Sequence, residues 1–315
     1  MKSTVLKIFF LAGTLPMVTS QVKAYDLPTV NLGMTSFLDG GLPAGPGWYG
    51  QLYFQDYDAN KLSDQQGNRL PLPKTDLHYQ VEVAQLSYLS QLSVGKNASF
   101  GMNVLLPFVS KMNVNDGLNQ AALKSSQGFS DILVGPFIQF DPVMGANGPK
   151  FVQRVEFQVN LPTGHYDQSK DINPSNHAVS FNPYWAATYW LTPKWTASVR
   201  IHYLYNFKNN KPTYAFGDVD DLQAGQAIHA NFATDYAITE KLRLGINGYW
   251  LQQITDTKAN GTDLKGRRER VWALGPGMMY SFSQQDHVVA NAYFEQGAKN
   301  RPEGNRLQVR YIHHF

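Results

Sequence analysis

Polar side chains that could bind or guide a solute recur at every second position in several apolar stretches of the sequence. In residues 194–207, Arg200 and His202 alternate with apolar residues such as Ile201. A strand points alternate side chains to opposite faces, so each stretch would have one polar and one apolar face. The polar face then supplies these candidates for the lining of a solute path: Arg154, Glu156, Arg200, His202, His229, Asn231, Arg243, Asn247 and Glu295. If the strands enclosed a lumen, acids and bases facing each other across it would create an electric field that selects polar solutes. Alternatively, these charges would simply neutralise one another.

The sequence gives little support for catalysis or for a bound metal. It has no G-x-S-x-G, P-loop or H-E-x-x-H motif, although Ser180 and His202 lie on neighbouring predicted strands. The complete lack of cysteine excludes a disulfide scaffold, a thiolate metal site and a cysteine nucleophile. The run from Asp56 to Asn60 begins like a calcium loop, but Lys61 stands where such a loop needs glycine. We therefore expect no enzyme, no cofactor and no metal site.

The elements that would position the polar residues are long strands. Most of the alternating stretches run for about ten to fifteen residues, whereas strands of soluble proteins average about five or six and tilted membrane strands need about nine to eleven. Twelve such stretches can be recognised: 48–57, 76–90, 98–109, 129–140, 151–161, 178–190, 194–207, 225–237, 240–254, 270–282, 287–296 and 306–315. Their length favours a transmembrane barrel over a soluble sandwich.

The connections between these stretches alternate in length. Long polar connections lie near 58–75, 110–128, 162–177, 208–224, 255–269 and 297–305, and short turns lie near 91–97, 191–193, 238–239 and 283–286. Outer-membrane barrels have short periplasmic turns and longer external loops. We therefore predict an all-β fold, an antiparallel transmembrane β-barrel of about 12 strands over residues 48–315, or 14 strands if residues 25–40 contribute.

The N-terminal residues predict export and a separate segment before the barrel. Lys2 and Lys7 flank an apolar stretch, and Val22-Lys23-Ala24 resembles a cleavage site, so residues 1–24 are predicted to be a signal peptide. Residues 25–47 are rich in glycine and proline and have no strand pattern. This segment either enters the lumen as a plug or forms a periplasmic tether.

Three further groups of residues suggest local roles. Gly275, Pro276 and Gly277 lie inside a predicted strand, where proline cannot donate to the ladder, and so predict a kink in the wall. Basic side chains at the outer end of the same strand could bind lipopolysaccharide phosphates or remain solvated; they are Lys265, Arg267, Arg268 and Arg270. Phe315, in phase with Tyr311 and Val309, resembles the terminal aromatic signal with which outer-membrane barrels engage their assembly machinery.

The charge of the chain argues against a nucleic-acid partner. The formal net charge is +3, from 27 basic and 24 acidic residues. Lys2, Lys7 and Lys23 account for this whole excess, so the chain after the predicted signal peptide is formally neutral. It has no excess positive charge with which to bind phosphates of nucleic acid.

The order of several short motifs resembles one family of outer-membrane proteins. The motifs are Gly128-Phe129-Ser130-Asp131 with Gly135-Pro136, Leu161-Pro162-Thr163-Gly164 with Tyr166-Asp167, Asn176 with Phe181 and Pro183, Gly248-Tyr249 with Gln252-Gln253 and Thr255-Asp256, and Gly275-Pro276-Gly277. Over residues 45–315 the chain resembles the MetA-pathway of phenol degradation family, also described as SphA-like outer-membrane transporters. The family tends to have glycine where Ser130 stands and aspartate where Thr257 stands, which puts any shared loop function in question.

The resemblance implies a barrel that passes small aromatic or other hydrophobic compounds across the bacterial outer membrane. Expected partners are outer-membrane lipid, lipopolysaccharide, the barrel assembly machinery and a small-molecule solute. Two alternatives stay open at this point. The protein could be a structural or adhesive outer-membrane barrel without transport, or a hydrolase of the outer-membrane phospholipase kind.

Overall fold

The computed structural model describes Leu27 and residues 30–72, 74–115 and 121–315. The predicted signal peptide over residues 1–24 lies outside these residues. Within the described part, the prediction of an antiparallel barrel of 12 strands is confirmed. No helix of the described residues is long and apolar enough to cross a membrane.

The wall consists of strands that pair with their neighbours in chain order. We number them β1 (Gly47–Leu62), β2 (Asp76–Ser93), β3 (Ala98–Asn115), β4 (Gly128–Phe129 and Ile132–Phe140), β5 (Gly148–Glu156 and Val159–Leu161), β6 (Ser180–Phe181 and Tyr184–Trp190), β7 (Trp195–Asn206), β8 (Ala227–Ala237), β9 (Leu242–Gln253), β10 (Arg270–Ser281), β11 (Asp286–Lys299) and β12 (Pro302–His314). The last strand pairs with the first from Tyr49–His314 to Leu62–Pro302, so the sheet has no free edge. Closure satisfies the backbone groups that lipid could not.

The loops sort by length at the two ends of the barrel with one exception: only Asn300 and Arg301 separate β11 from β12, so the prediction of a long connection near 297–305 is wrong. The β3–β4, β5–β6, β7–β8 and β9–β10 connections are long, and they carry short elements such as Thr257–Ala259, Thr262–Leu264 and the 3-10 turn Tyr214–Phe216. The β2–β3, β6–β7, β8–β9 and β10–β11 connections are short turns. In an outer-membrane barrel the long loops are external, and we use this orientation below.

Side chains alternate between the lipid face and the interior as the sequence pattern predicted. Leu52, Ile246 and Leu307 are exposed on the outer face, whereas Gln55 and Gln308 are buried inside. Trp48, Trp195, Trp250 and Trp272 are also exposed on the outer surface, which suits interfacial anchors. An apolar exterior around a polar interior is the arrangement that lipid demands.

The ladder is interrupted around Phe157 of β5, beside one proline on each neighbouring strand. The breaks in β5 and β6 lie side by side, and Pro136 of β4 and Pro183 of β6 flank Phe157 in the register. The Phe157 amide donates to the Pro136 carbonyl at 2.9 Å, and the Tyr203 amide donates to the Pro183 carbonyl at 3.1 Å. Proline has no N–H to return, so this part of the wall has fewer ladder hydrogen bonds than a continuous strand.

The residues of the predicted kink, Gly275, Pro276 and Gly277, lie where the ladder between β10 and β11 is interrupted, because Gly275 and Pro276 have no paired residue on β11. Strand β10 pairs with β9 in one register through all three residues, and its only register shift lies between Arg270 and Trp272. A bend of the wall at this point stays a prediction. A Cβ on Gly277 would lie 2.5 Å from the Asn291 side chain and 2.9 Å from the Phe37 ring, so glycine here leaves room for a wall side chain and for a segment inside the barrel.

Candidate solute path through the barrel

The lumen contains the chain segment that precedes β1. Residues 30–46, which we call the inner segment, contact inward-facing side chains from β1, β6, β7, β8, β11 and β12. Leu32, Phe37 and Asp39 of this segment are all buried. The interior is therefore partly filled, and any solute must pass beside the inner segment.

An ion pair attaches the inner segment to the wall at β7. The Arg200 guanidinium donates two hydrogen bonds to the Asp39 carboxylate, at 2.7 Å from Nε and 2.6 Å from Nη2. The same guanidinium lies 4.1 Å from the ring centroid of Tyr184. The adjacent Gly40 amide donates to the Thr188 hydroxyl at 2.9 Å. This buried, bidentate ion pair fixes the position of the inner segment against β7 and neutralises both charges.

Neutral hydrogen bonds attach the middle of the inner segment to β8 and β11. The Asn231 side chain accepts from the Gly33 amide at 2.9 Å and donates to the Asn31 carbonyl at 2.9 Å. The Tyr293 hydroxyl donates to the Gly33 carbonyl at 2.9 Å. Wall side chains thus replace the water or backbone partners that an irregular segment would otherwise lack.

A second charged cluster holds the outer part of the segment. The Arg306 guanidinium donates to the Leu32 carbonyl at 2.6 Å and to the Tyr79 hydroxyl at 2.9 Å. Glu295 lies 3.8 Å from the same guanidinium and accepts a hydrogen bond from the Tyr249 hydroxyl at 2.7 Å. The cluster is buried, and its charges are compensated within the lumen.

Two adjacent cavities lie beside the inner segment. The outer cavity, of about 160 Å³, lies under the external loops and is lined largely by apolar residues such as Leu77, Val109, Ile172 and Phe216. The inner cavity, of about 480 Å³, extends to Pro142 and Glu240 at the periplasmic turns. Both cavities are lined by Val30, Val81, Asp131 and Asn176. These shared residues place the two spaces end to end, from the external loops to the periplasmic turns.

The polar candidates predicted from strand parity all lie on the interior face. Eight of them are buried, and Arg243 is partly buried; the buried ones are Arg154, Glu156, Arg200, His202, His229, Asn231, Asn247 and Glu295. Arg154, Glu156, Arg200 and Arg243 line the inner cavity. The others are taken up by packing or by the inner segment, so their role in a solute path stays a prediction.

Several of these candidates contact one another or the wall. The His202 and His229 rings stack with centroids 4.2 Å apart, and His229 contacts the Asn182 side chain at 3.2 Å. Arg243 forms an ion pair with Asp235. The Asn247 side chain donates to the Gly275 carbonyl at 3.1 Å. Arg243 is therefore neutralised by an acid of the wall. This is the second of the two alternatives that the sequence left open.

The predicted basic cluster is partly engaged in internal ion pairs. Lys265 and Arg268 both contact Asp256, at 2.8 Å each, and their hydrogen bonds hold the pKa of this carboxyl at about 2. The Arg267 guanidinium lies 5.0 Å from the Phe216 ring, and Arg270 donates to the Gly297 carbonyl at 3.4 Å. These contacts organise the β9–β10 loop and compete with any lipopolysaccharide contact.

The weaker catalytic and metal candidates find limited support. Ser180 pairs with Asn206, whereas His202 pairs with Tyr184 farther along the same strands, and no hydrogen bond joins Ser180 to His202 in the described chain. Asp56, Asp58 and His78 place possible ligand atoms within 4.8 Å of one another. His78 and Asp56 already contact each other at 2.8 Å, and the group faces outward.

The predicted assembly signal lies at the periplasmic end of the barrel. Phe315 is exposed, and its amide donates to the Trp48 carbonyl at 3.0 Å. Tyr311 faces outward and donates to Asp286 at 2.6 Å, and Val309 pairs with Phe54. Recognition of these residues by an assembly machinery stays a prediction.

Sequence reasoning missed the residues that connect the inner segment to the wall. Arg306 and Arg310 lie in phase on the polar face of β12, so parity alone could have identified them as interior residues. Asp39 carried no such signal, because the segment around it has no strand period. Its contact with Arg200 joins residues 161 positions apart in the chain.

The chain belongs to a known family by sequence and has a close match in fold. The family model described as "Putative MetA-pathway of phenol degradation" matches residues 59–311, and the chain is a member of this family. The COG4313 outer membrane channel from Pseudomonas putida F1 superposes with a TM-score of 0.75 at 16% identity, over 89% of this chain and 98% of that chain. The TodX monoaromatic hydrocarbon channel deltaS2 mutant gives a TM-score of 0.49 at 11% identity, over 93% and 97%. Among curated proteins, none matches the chain by sequence. The protein is an integral β-barrel of the bacterial outer membrane.

Proposed function

We propose that this protein is a channel that passes small aromatic or otherwise hydrophobic compounds across the outer membrane. The observation that carries this proposal is the pair of end-to-end cavities beside the inner segment. The outer cavity offers apolar surface to a solute arriving between the external loops, and Leu77, Ile172 and Phe216 would contact it. Small-molecule sites are typically concave and mostly apolar with few polar groups.

The family and fold comparisons support the same function. The family description refers to phenol degradation, and the solved structure with the TM-score of 0.75 is named an outer membrane channel. Phenolic compounds are small, largely apolar solutes, so they match the chemistry of the outer cavity. A channel, unlike an enzyme, needs no catalytic group along this path.

We propose that the inner segment acts as a resident plug that limits the size of the solute. Its anchors at Arg200, Asn231 and Arg306 attach it to three different strands, which supports a fixed position during transport. A periplasmic tether would not need buried partners around the lumen. The assembly role of Phe315 and the lipopolysaccharide contacts of the basic cluster remain further proposals.

Uptake by intact cells tests the channel, because purified lipid vesicles are themselves permeable to hydrophobic compounds. Gram-negative cells without comparable channels would express the protein, and uptake of labelled toluene, phenol, an alkane and sucrose would be measured. We expect faster uptake of the aromatic compounds than in cells without the protein, and little change for sucrose. Equal uptake of every solute with and without the protein would contradict the channel and favour a structural barrel.

A further inference from the structure

Arg310 is a buried positive charge that has no acidic partner. It lies on the inward face of β12, is 7% exposed and lines the inner cavity. Within the described chain, no carboxylate lies within 4.0 Å of its guanidinium, and its Nε has no hydrogen-bond partner. The ring centroid of Tyr53 lies 5.8 Å from its guanidinium carbon.

The other charged groups of the inner cavity are mostly occupied. Arg200 pairs with Asp39, and Arg243 pairs with Asp235. The Asp131 carboxylate accepts from the Gly164 amide at 3.1 Å. These contacts leave two arginines on the cavity wall without a carboxylate partner.

The second of these arginines, Arg154, has a different environment. Glu156 lies two residues along the same inward face, and its Oε2 accepts hydrogen bonds from Asn103 and from Tyr184. The acid lies outside ion-pair distance of Arg154 but in its immediate neighbourhood on β5. The positive potential around Arg154 is therefore partly offset, whereas Arg310 has Val289 and Tyr53 as its paired neighbours on β11 and β1.

The cavity that Arg310 lines has many apolar side chains. Met34 and Phe37 of the inner segment and Met279 and Ile312 of the wall are among them, together with a few neutral or weakly basic polar groups such as Gln51 and His287. A buried charge is costly unless an opposite charge or strong hydrogen bonds compensate it. One cation in mostly apolar surroundings is complementary to a solute that has one anionic group on an apolar body.

We propose that Arg310 binds the carboxylate of small amphipathic acids, such as aromatic acids, within the inner cavity. This inference rests on the proposed channel function and specifies a class of solute for it. The guanidinium can donate two parallel hydrogen bonds to a carboxylate, and the cavity volume of about 480 Å³ is large enough for a small aromatic body. Neutral aromatic compounds would use the same apolar surface without the charged contact.

The test compares two ligands that differ only in the charged group. Binding of 2-naphthoate and of 2-naphthalenemethanol to the purified full chain would be measured by calorimetry at pH 7. We expect the wild type to bind the acid more tightly than the alcohol. Arg310→Gln should weaken binding of the acid by about tenfold or more, the range of a charge-assisted hydrogen-bonded pair, and leave binding of the alcohol nearly unchanged.

Two further variants make the outcome specific. Arg310→Lys should restore part of the preference for the acid, and Arg154→Gln, which also removes an unpaired buried arginine of this cavity, should reduce it less than Arg310→Gln. Heat-modifiable mobility in gels would verify that each variant forms the barrel. Equal binding of the acid by Arg310→Gln and the wild type, or full competition by chloride at the same concentration as the acid, would overturn the proposal.

The same data distinguish this proposal from the channel itself. Binding of the alcohol without any preference for the acid would overturn the carboxylate site and leave the channel function standing. Binding of neither ligand, together with the absence of aromatic uptake in cells, would contradict both.

Discussion

The two sides of the lumen differ in how they use the same inward-facing strand positions. On the side of β8–β12, residues such as Asn231, Asn291 and Tyr293 bind the inner segment directly. On the side of β2–β5, Val83, Leu105 and Leu133 line the inner cavity, and the inner segment is held by fewer contacts: Met34 packs against this cluster, and Gln139 donates to the Gly40 carbonyl at 3.1 Å. One side makes most of the hydrogen bonds to the inner segment, and the other leaves more of the cavity open, so a barrel of this size can contain both a fixed segment and a path.

Glycine placement shows how this difference is built. On the packed side, a Cβ on Gly33 would lie 2.7 Å from the Tyr293 ring, and one on Gly277 would lie 2.9 Å from the Phe37 ring. On the open side, Gly101 and Gly135 are covered by side chains of the wall itself, Phe137 and Glu156. Gly33 and Gly277 therefore allow the inner segment and the wall to approach closely, whereas Gly101 and Gly135 allow neighbouring wall residues to do so.

Removal of the inner segment should abolish the difference between the two sides. Deletion of residues 25–46 would expose the packed side to solvent, and we expect a severalfold rise in single-channel conductance in planar bilayers. The physical reason is the larger open cross-section that replaces the buried segment. Heat-modifiable mobility would show whether the truncated barrel still forms. Conductance equal to that of the wild type, with an intact barrel, would refute the plug.

Removal of one partner of the Asp39–Arg200 pair should destabilise the packed side. Asp39→Ala would leave Arg200 buried and unpaired, and we expect a loss of about 3–5 kcal/mol in the free energy of unfolding. The measurement is urea unfolding of the barrel in lipid vesicles. The control is the double variant Asp39→Ala/Arg200→Ala, which removes both charges. Its loss of unfolding free energy should be smaller than the sum of the losses measured for Asp39→Ala and Arg200→Ala separately. Strict additivity would mean that the pair does not anchor the segment.

Bulky substitutions should affect the two sides differently. Ala233 packs with Phe37 and Met279, so Ala233→Trp would overpack this cluster and destabilise the barrel by about 1–3 kcal/mol or more. Leu105 is buried beside Val83 and Val109 but also lines the inner cavity, so Leu105→Trp should reduce aromatic uptake and destabilise the barrel less than Ala233→Trp, because the cavity can take up part of the added volume. Unfolding and cell uptake would be measured for both variants. Similar destabilisation by the two substitutions would show that the open side is as tightly packed as the other.

Sequence patterning predicted the wall of the barrel better than it predicted the position of the inner segment within the lumen. Strand parity gave the strand number and placed Arg154, His202 and Asn247 on the interior, since one lipid-facing side imposes an alternation that can be read locally. The Asp39–Arg200 contact could not be predicted, because it depends on where an aperiodic segment crosses the lumen. The close approach of Phe37 to Gly277 could not be predicted for the same reason, because the two residues are distant in sequence.

Patterning also overestimated the continuity of some strands. The stretch 178–190 reads as one strand, but β6 is interrupted between Phe181 and Tyr184. Pro183 lies in this interval and lacks the N–H that a ladder needs. Pro136 has the same effect between β4 and β5, so the interruption follows from residue type once the register is known.

The smallest expected effect lies in the external β9–β10 loop, outside both sides of the lumen. Hydrogen bonds from Arg268 and Lys265 lower the pKa of Asp256 to about 2, so the folded loop favours the ionised carboxyl. The contribution to loop stability is fully present above the unfolded pKa of about 4 and is lost as the pH falls through about 2. The protection factors of the backbone amides in residues 255–269 should therefore fall between pH 4 and pH 2, and Asp256→Asn should remove this dependence. Because the loop lies away from the inner segment, aromatic uptake at pH 7 should stay unchanged in Asp256→Asn; a loss of uptake would show that the loop contributes to the path.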